Sequence, residues 1–402
     1  MSESAASGDG GARSGDGNFS LLAGGVLDRL MHWAPASGDG SRLLRRSLLA
    51  VFLVAWLPLF LLSLLDGRAW GGVTVPFLQD IATQARLLLA LPLLIIAEQV
   101  LRQRVRPSIY KFIERGLVPA AQRDEFEAAL ASARKWLDSN WIDLVLVACA
   151  YSIGLVGLWR HTGVTAMGSW YGAIENGKFV ASAAGWWFAL VSLPVFQFLL
   201  LRWYFRLVVW WRLLARISRI ELDLQPLHAD KAGGLGFLAD MTLAFAPFLI
   251  AQGALASGRI ADRIVFGGST LTAFKFDLAA VIVVAVLLVL GPLLLFGTRL
   301  AAAKRDGLDD YGDLATRYAR DFEGKWLRGA IQADGAELGT GDIQSLADIG
   351  SSYGNLKDML VVPFEMKTVL ALVAAVALPM VPLLFTMFSP AELLERVIKL
   401  LM

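Results

Sequence analysis

The sequence predicts an all-α, polytopic membrane helical bundle of about seven transmembrane helices with short cytoplasmic helical hairpins. Hydrophobic residues make up 56% of the 402 residues and charged residues only 18%, against about 45–50% and about 25% in soluble domains. The apolar residues cluster in stretches long enough to cross a bilayer, and Lys and Arg collect in alternate loops. A chain of this composition cannot bury its apolar surface in soluble cores alone.

Seven stretches are predicted to span the membrane, because a hydrocarbon core of about 30 Å needs roughly 20 apolar helical residues. They are 47–65, 86–101, 141–159, 186–211, 235–256, 278–298 and 369–388. The second stretch is the weakest, since its uncharged part runs only over 87–97 before Glu98. Proline occurs in six of the seven stretches.

The distribution of positive charge predicts the orientation. With the N-terminus inside, 26 Lys and Arg residues lie on the inner side and 9 on the outer side, and such an excess marks the cytoplasmic face. We therefore expect a multi-pass membrane protein with a cytoplasmic N-terminus and a C-terminus on the opposite side. The bundle then covers 47–388, with cytoplasmic loops at 102–140, 212–234 and 299–367.

Both ends of the chain differ from the bundle. Residues 1–18 are rich in Gly, Ser and Asp and predict a disordered tail. The segment 19–46 predicts an amphipathic helix on the inner membrane surface. Residues 389–402 begin with a capping box formed by Ser389 and Glu392 and predict a short amphipathic helix on the outer surface.

Two cytoplasmic loops carry apolar stripes at helical spacing. The loop 102–140 predicts a helical hairpin, and the loop 299–367 begins with the stripe Tyr311, Leu314, Tyr318, Phe322 and Trp326. We expect the acidic run Asp306, Asp309, Asp310 and Asp313 to mark a solvated helix start. Residues 329–354 are rich in Gly, Ser and Asp and are expected to form a loop.

The first candidate site is a set of ionisable residues at membrane depth. Charges there are costly unless they are paired or hydrated, so they are expected to converge inside the bundle. One interpretation is a cytoplasm-facing polar site, and the other is structural ion pairs that hold helices together. The members are Glu98, Asp143, Arg202, Arg206 and Asp240.

The second candidate is the turn 224–238, LQPLHADKAGGLGFL, before the fifth predicted span. Glycines allow close backbone approach, and a helix N-terminus attracts anions, so the turn is a candidate anion site. The alternative is a tight structural turn back into the bilayer. As metal ligands the turn offers only two groups, so no metal site is expected. The candidate residues are His228, Asp230, Lys231, Gly233, Gly234 and Gly236.

The same turn, together with GTGDIQSLADIGSSYGNLKDMLVVPF at 339–364, resembles segments of uncharacterised multi-pass bacterial inner-membrane proteins. The resemblance is best from the fifth span onward. The resemblance implies a location in the bacterial inner membrane, and with the predicted orientation the C-terminus would be periplasmic. That family has no assigned activity, so the resemblance adds no substrate.

Three functions follow as hypotheses. The first is translocation of a small solute, with an anion favoured by the two membrane arginines. The second is a non-catalytic scaffold or sensor that binds a protein partner through its cytoplasmic loops. The third and weakest is an intramembrane or interfacial enzyme that uses His228, Asp230 and Lys231 on a lipid-linked phosphate. No cofactor is expected, and the net charge of +2 gives no reason to expect nucleic acid as a partner; the bilayer itself is the expected environment.

Overall fold

The structure, a computed structural model, describes residues 40–161, 168–175, 178–328 and 341–387. The predicted tail, most of the segment 19–46 and the C-terminal segment 389–402 lie outside these residues. Nine helices and one β-hairpin are found in the described part: α1 (Leu44–Leu65, beginning at Gly40), α2 (Ile81–Glu114), α3 (Arg123–Leu137), α4 (Asn140–His161), β1 (Gly172–Glu175), β2 (Lys178–Ala181), α5 (Ala183–Ile217), α6 (Phe237–Val265), α7 (Leu271–Leu327), α8 (Gly341–Lys357) and α9 (Met366–Thr386).

Six of these helices are long and apolar enough to cross a membrane, namely α1, α2, α5, α6, α7 and α9. The remaining predicted span is α4, whose apolar described stretch, Asn140–Gly154, is shorter. It packs along α5. The predicted all-α polytopic bundle is confirmed, and the second span, weakest in the sequence, is a helix of 34 residues.

The longest helix, α7, contains 57 residues, more than twice what a bilayer requires. Beyond its membrane part it pairs with α8, which packs mainly against α7. We call residues 308–328 and 341–355 the arm. At about 1.5 Å per residue, the first limb of the arm is roughly 30 Å long.

Two sequence-based expectations about the residues of the arm and its base are wrong. Residues 341–354 form most of a helix rather than a loop, because Ile343, Leu346 and Ile349 recur at helical spacing and the helix, α8, packs along α7. The acidic run does not start a helix either. It lies in the middle of α7, because the sixth span continues into the arm without a break.

The loops fall on two sides of the bundle. On one side, the segment after α1 hydrogen-bonds with the β-hairpin region, with 3.0 Å between Thr74 N and Gly168 O. On the other side, the C-terminus of α2 meets the turn before α6, with 2.9 Å between Arg115 Nη1 and Gly234 O. We call these the far side and the arm side, and the charge distribution predicts that the arm side is cytoplasmic.

The central helix is α6, whose most apolar window is 61% buried, against 17% for α1. Small residues in α6 let neighbouring backbones approach, as is common between membrane helices. A Cβ atom added at Gly253 would lie 2.0 Å from the carbonyl oxygen of Val376 on α9. One added at Gly258 would lie 2.7 Å from Cβ of Ala85 on α2. Glycine at both positions is therefore required by packing.

Prolines interrupt the regular helix in most spans. Three of them, Pro58, Pro92 and Pro194, each follow a π-helical turn. In α7 and α9 the prolines lie in 3-10 segments, Gly291–Phe296 and Leu378–Thr386. The cause is that proline lacks an N–H and clashes with the carbonyl four residues earlier, so the preceding turn widens or tightens.

Aromatic donors on neighbouring helices bind three of the carbonyls that proline leaves free. The indole of Trp187 donates to Val54 O at 3.0 Å, four residues before Pro58. Tyr151 donates to Leu190 O at 3.2 Å, before Pro194. The indole of Trp211 donates to Leu288 O at 2.8 Å, before Pro292. These prolines therefore create cross-helix hydrogen bonds in a medium without water.

The predicted hairpin at 102–140 is formed by the end of α2 and by α3, and it is not a free surface. Its apolar stripes are buried against the bundle, with Phe112 and Phe126 fully inaccessible and their rings 5.6 Å apart. Because the stripes are buried inside the chain, this hairpin offers little apolar surface to a partner.

The β-hairpin on the far side was not predicted. Strands β1 and β2 pair antiparallel, with Gly172 opposite Ala181. The dipeptide Asn176-Gly177 between them is a strong hairpin signal. The rest of the sequence shows helical periodicity, which gives no indication of a strand.

Candidate functional sites

Four of the five predicted membrane charges come together. Glu98 of α2 accepts a hydrogen bond from Arg206 of α5 at 3.0 Å and one from Arg102 of α2 at 3.1 Å. The Arg206 guanidinium also lies over the ring of Trp203, 5.2 Å from its centroid. We call Glu98, Arg102, Asp143, Arg202 and Arg206 the ion-pair cluster.

The second pair in this cluster joins α5 to α4. Arg202 donates to Asp143 at 3.4 Å. The side chains of Asp143, Arg202, Arg206 and Glu98 are only 5–15% exposed, so these charges lie inside the bundle and bind one another. The cluster ties three helices together, in the manner of structural ion pairs.

Asp240 does not join the cluster. It is exposed on the first turn of α6, while Ala239 and Met241 beside it are buried. Asp240 instead lines an arm-side cavity of about 280 Å³ together with Arg115, Asp230, Glu365 and Lys367. Lys367 pairs with Glu365 at 2.9 Å and Arg115 approaches Asp230 at 3.5 Å. The lining carries three acids and two bases, which does not favour an anion.

The glycine-rich turn before α6 wraps around the carboxylate of Asp230. The backbone N–H groups of Ala232, Gly234 and Gly236 donate to it at 2.9, 3.0 and 2.9 Å. His228 Nδ1 lies 2.9 Å from the same carboxylate. The donors that would bind an external anion are therefore taken by a side chain of the turn itself.

The backbone of this turn requires glycine where it is found. Gly233 and Gly234 have φ of 62° and 96°, in a region that is strained for other residues. Lys231 also has a positive φ, 54°, and its carbonyl accepts a hydrogen bond from Leu360 N at 2.7 Å. The turn thus joins α6 to the segment after α8, and a Cβ at Gly236 would come within 2.9 Å of Asp230.

The contacts of the Asp230 carboxylate lower its pKa. Partial burial favours the neutral acid, but the three backbone donors and His228 outweigh it and hold the pKa below its ordinary value of 3.8. Because the folded pKa lies below the unfolded one, the carboxylate stabilises the fold above about pH 4. That stabilisation is lost as the pH falls through the folded pKa.

We expect Asp230→Asn to lower the free energy of unfolding at pH 7 by about 1–3 kcal/mol, because the uncharged amide has only one acceptor oxygen, so at least one of the three backbone donors loses its acceptor and the others lose a charged one. The difference from the wild type should stay constant between pH 5 and pH 7 and shrink below about pH 4. Unfolding in detergent micelles over this pH range measures it. Asp358→Asn is the matched control, since Asp358 is an exposed acid paired with Lys231 of the same turn at 3.3 Å. Equal effects of the two substitutions at pH 7 would contradict the role of Asp230.

Sequence reasoning missed a pair of acids on the far side. Asp80 caps α2 by accepting from Thr83 N at 2.8 Å, and it also accepts from the indole of Trp170 at 2.8 Å. Asp262 of α6 accepts from Ile81 N and Ala82 N at 2.9 and 3.2 Å. Two carboxylates from different elements therefore cap one helix start. Asp80 fits an N-cap pattern, whereas nothing local to Asp262 indicates a cap for a distant helix.

The arm is fastened at both ends. At its base, Lys304 Nζ donates to Lys357 O and Met359 O at 2.7 and 2.8 Å. Toward its tip, Asp342 of α8 binds Lys325 and the indole of Trp326, which lower the pKa of Asp342. Between these points, no described side chain of the arm is fully buried.

Fold and sites together define an integral membrane protein, an all-α bundle with an internal ion-pair cluster and a two-helix arm on one side. No protein-family model matches the chain, and no curated protein or solved structure is significantly similar to it. The bacterial inner-membrane location, the orientation and the family resemblance stay predictions.

Proposed function

We propose that the chain is a membrane-anchored docking protein whose arm binds a protein partner on the arm side of the membrane. The observation that carries this proposal is the incomplete packing of the arm. Leu314, Leu327 and Ile343 are 41%, 73% and 53% exposed, although the arm lies on the side predicted to face the cytoplasm. Two helices can cover only one face of each other, so a unit of this size gains stability from a further partner.

The row of acids on α7 supports a basic patch on that partner. Asp306, Asp309, Asp310 and Asp313 are all exposed, and none has a cation within 4.0 Å among the described side chains. Like charges four residues apart destabilise a helix. An opposing basic surface would offset that repulsion and orient the partner on the arm.

The features that suggested solute translocation have structural partners within the chain. The arginine pair is bound in the ion-pair cluster, three proline-freed carbonyls are hydrogen-bonded to aromatic donors, and the glycine turn encloses Asp230. None of these groups is left to bind a solute. Docking is therefore the function that the described residues support better.

A photo-activated cross-linking residue placed in living cells tests the docking proposal. We expect positions 314, 327 and 343 on the arm to give adducts of one common mass. Ala128, which is exposed on α3, is the matched arm-side control and should give none. Asp309→Asn/Asp310→Asn/Asp313→Asn should weaken the adducts at position 314, because the acid row would no longer attract the partner.

Two outcomes would overturn the proposal. Adducts of equal yield from the arm and from position 128 would show non-specific contact. An adduct at twice the mass of the chain would assign the arm to self-association instead.

A further inference from the structure

A groove lies on the lipid-facing surface of the protein, between α6 and the membrane part of α7. Two adjoining cavities of about 260 and 300 Å³ form it and share Ala256, Arg259 and Val281. The outer cavity reaches Arg263 and Asp277 near the far side, where α6 ends and α7 begins. The inner cavity continues to Leu288 and is mainly apolar.

The outer end of the groove is positively charged. Arg259 and Arg263 are one helical turn apart on α6, and both are exposed. No described carboxylate lies within 4.0 Å of either guanidinium, and Asp277 is the one acid in the lining. With Arg259, Arg263 and Asp277 in its lining, the outer cavity has a net charge of one positive unit on the lipid-facing surface.

Arg259 is six residues before the end of α6, about 9 Å below that end. An arginine at this depth is costly unless it reaches an anion or the headgroup layer. The Arg263 guanidinium lies 5.8 Å from the Phe274 ring centroid, which keeps it beside the groove. The depth of Arg259 and the positive charge of the two arginines therefore favour an anionic group at the far-side interface.

The dimensions of the groove indicate what carries that anion. From Asp277 to Leu288 the α7 wall covers eleven residues, about 16 Å, close to half of a hydrocarbon core of about 30 Å. An apolar slot of that length fits one acyl chain. A free phosphate would gain nothing from it, whereas a phospholipid places its phosphate at the arginines and its chain in the slot.

We propose that this groove is a binding site for an anionic phospholipid of the far-side leaflet, with the headgroup phosphate at Arg259 and Arg263 and one acyl chain between α6 and α7. This goes beyond docking at the arm and does not depend on it. The site lies on the opposite side of the membrane and uses different residues.

Native mass spectrometry of the full chain released from detergent micelles tests the proposal, with phosphatidylglycerol and phosphatidylcholine as probes. We expect the wild type to retain phosphatidylglycerol preferentially. Arg259→Gln/Arg263→Gln should reduce that retention roughly tenfold or more, since each basic residue near the surface attracts anionic lipid. Arg45→Gln/Arg46→Gln is the matched control, because these arginines are exposed at the start of α1 on the arm side; it should retain the wild-type preference.

Two further variants test the contributions of the lipid headgroup and of the acyl chain separately. Asp277→Asn removes the one acid of the lining and should increase phosphatidylglycerol retention, which a purely structural role of the arginines would not produce. Ala280→Trp fills the exposed slot wall without changing charge, and it should reduce retention of both lipids. Circular dichroism and gel filtration confirm folding of each variant.

Three results would overturn the proposal. The first is equal retention of the two lipids by the wild type. The second is equal loss of phosphatidylglycerol in the two double-arginine variants, which would show non-specific surface attraction. The third is displacement of the lipid by inorganic phosphate at concentrations comparable to the lipid, which would show that the acyl chain contributes nothing.

Discussion

Replacing Glu98 with glutamine is expected to destabilise the bundle by about 3–5 kcal/mol, because removing one partner of a buried ion pair leaves an uncompensated buried charge. The charge left behind is Arg206, whose side chain is 5% exposed. Glu98→Gln/Arg206→Gln should cost less than the sum of the two single substitutions, since the double variant leaves neither member of this pair charged. Unfolding of the purified chain in mixed micelles by a denaturing detergent measures each free energy.

The arm supplies a matched control for this experiment. Glu323 and Arg328 form an ion pair of the same length, 3.0 Å, with side chains 49% and 78% exposed. Glu323→Gln should change the free energy of unfolding by no more than about 1 kcal/mol, as is usual for exposed pairs. If Glu98→Gln were as mild as Glu323→Gln, the cluster would be hydrated in solution. A solute pathway would require a hydrated cluster, so that result would support the hypothesis of solute translocation over docking.

Replacing Gly253 with alanine is expected to destabilise the bundle by about 3 kcal/mol, because the added Cβ would overlap the carbonyl oxygen of Val376 at 2.0 Å and force α6 and α9 apart. The effect runs against intrinsic propensity, since alanine favours a helix over glycine by about 1 kcal/mol. The same unfolding experiment measures it.

Gly350 of α8 is the control for this substitution. A Cβ there would meet nothing within 4 Å, so Gly350→Ala should be neutral or should stabilise the arm by up to about 1 kcal/mol. The two substitutions are chemically identical and both glycines lie in helices. Destabilisation of equal size at both positions would contradict the close contact between α6 and α9.

The ion-pair cluster shows which part of a candidate site the sequence can predict. Arg202 and Arg206 are four residues apart and therefore share a helix face, and the requirement that membrane charges be paired predicts convergence with Glu98 and Asp143. Both pairs are found. Asp240 was expected at the same place because sequence position indicates depth. Rotation decides whether a residue faces the interior, and the 3-10 segment Leu243–Phe245 after the first turn of α6 changes that rotation.

The glycine turn and the arm show what sequence reasoning could not supply. A run of glycines indicates free backbone donors, but it does not reveal that Asp230 of the same turn will occupy them. Hydropathy shows where α7 leaves the lipid, but it does not show that the helix continues to Leu327 and pairs with α8. In both cases the answer depends on neighbours that are distant in sequence or on backbone conformation.

The sequence by itself predicted which helices are apolar enough to span a membrane, the approximate limits of their apolar parts and the unequal distribution of Lys and Arg between the two sides. These properties depend on the transfer of side chains between water and lipid, which is a sum over local residues. Tertiary structure decided which charges are paired, which carbonyls Trp187, Tyr151 and Trp211 bind, and which surfaces stay open on the arm and in the groove between α6 and α7. Those outcomes depend on helix rotation and contact, because hydrogen bonds and ion pairs form only within a few ångströms.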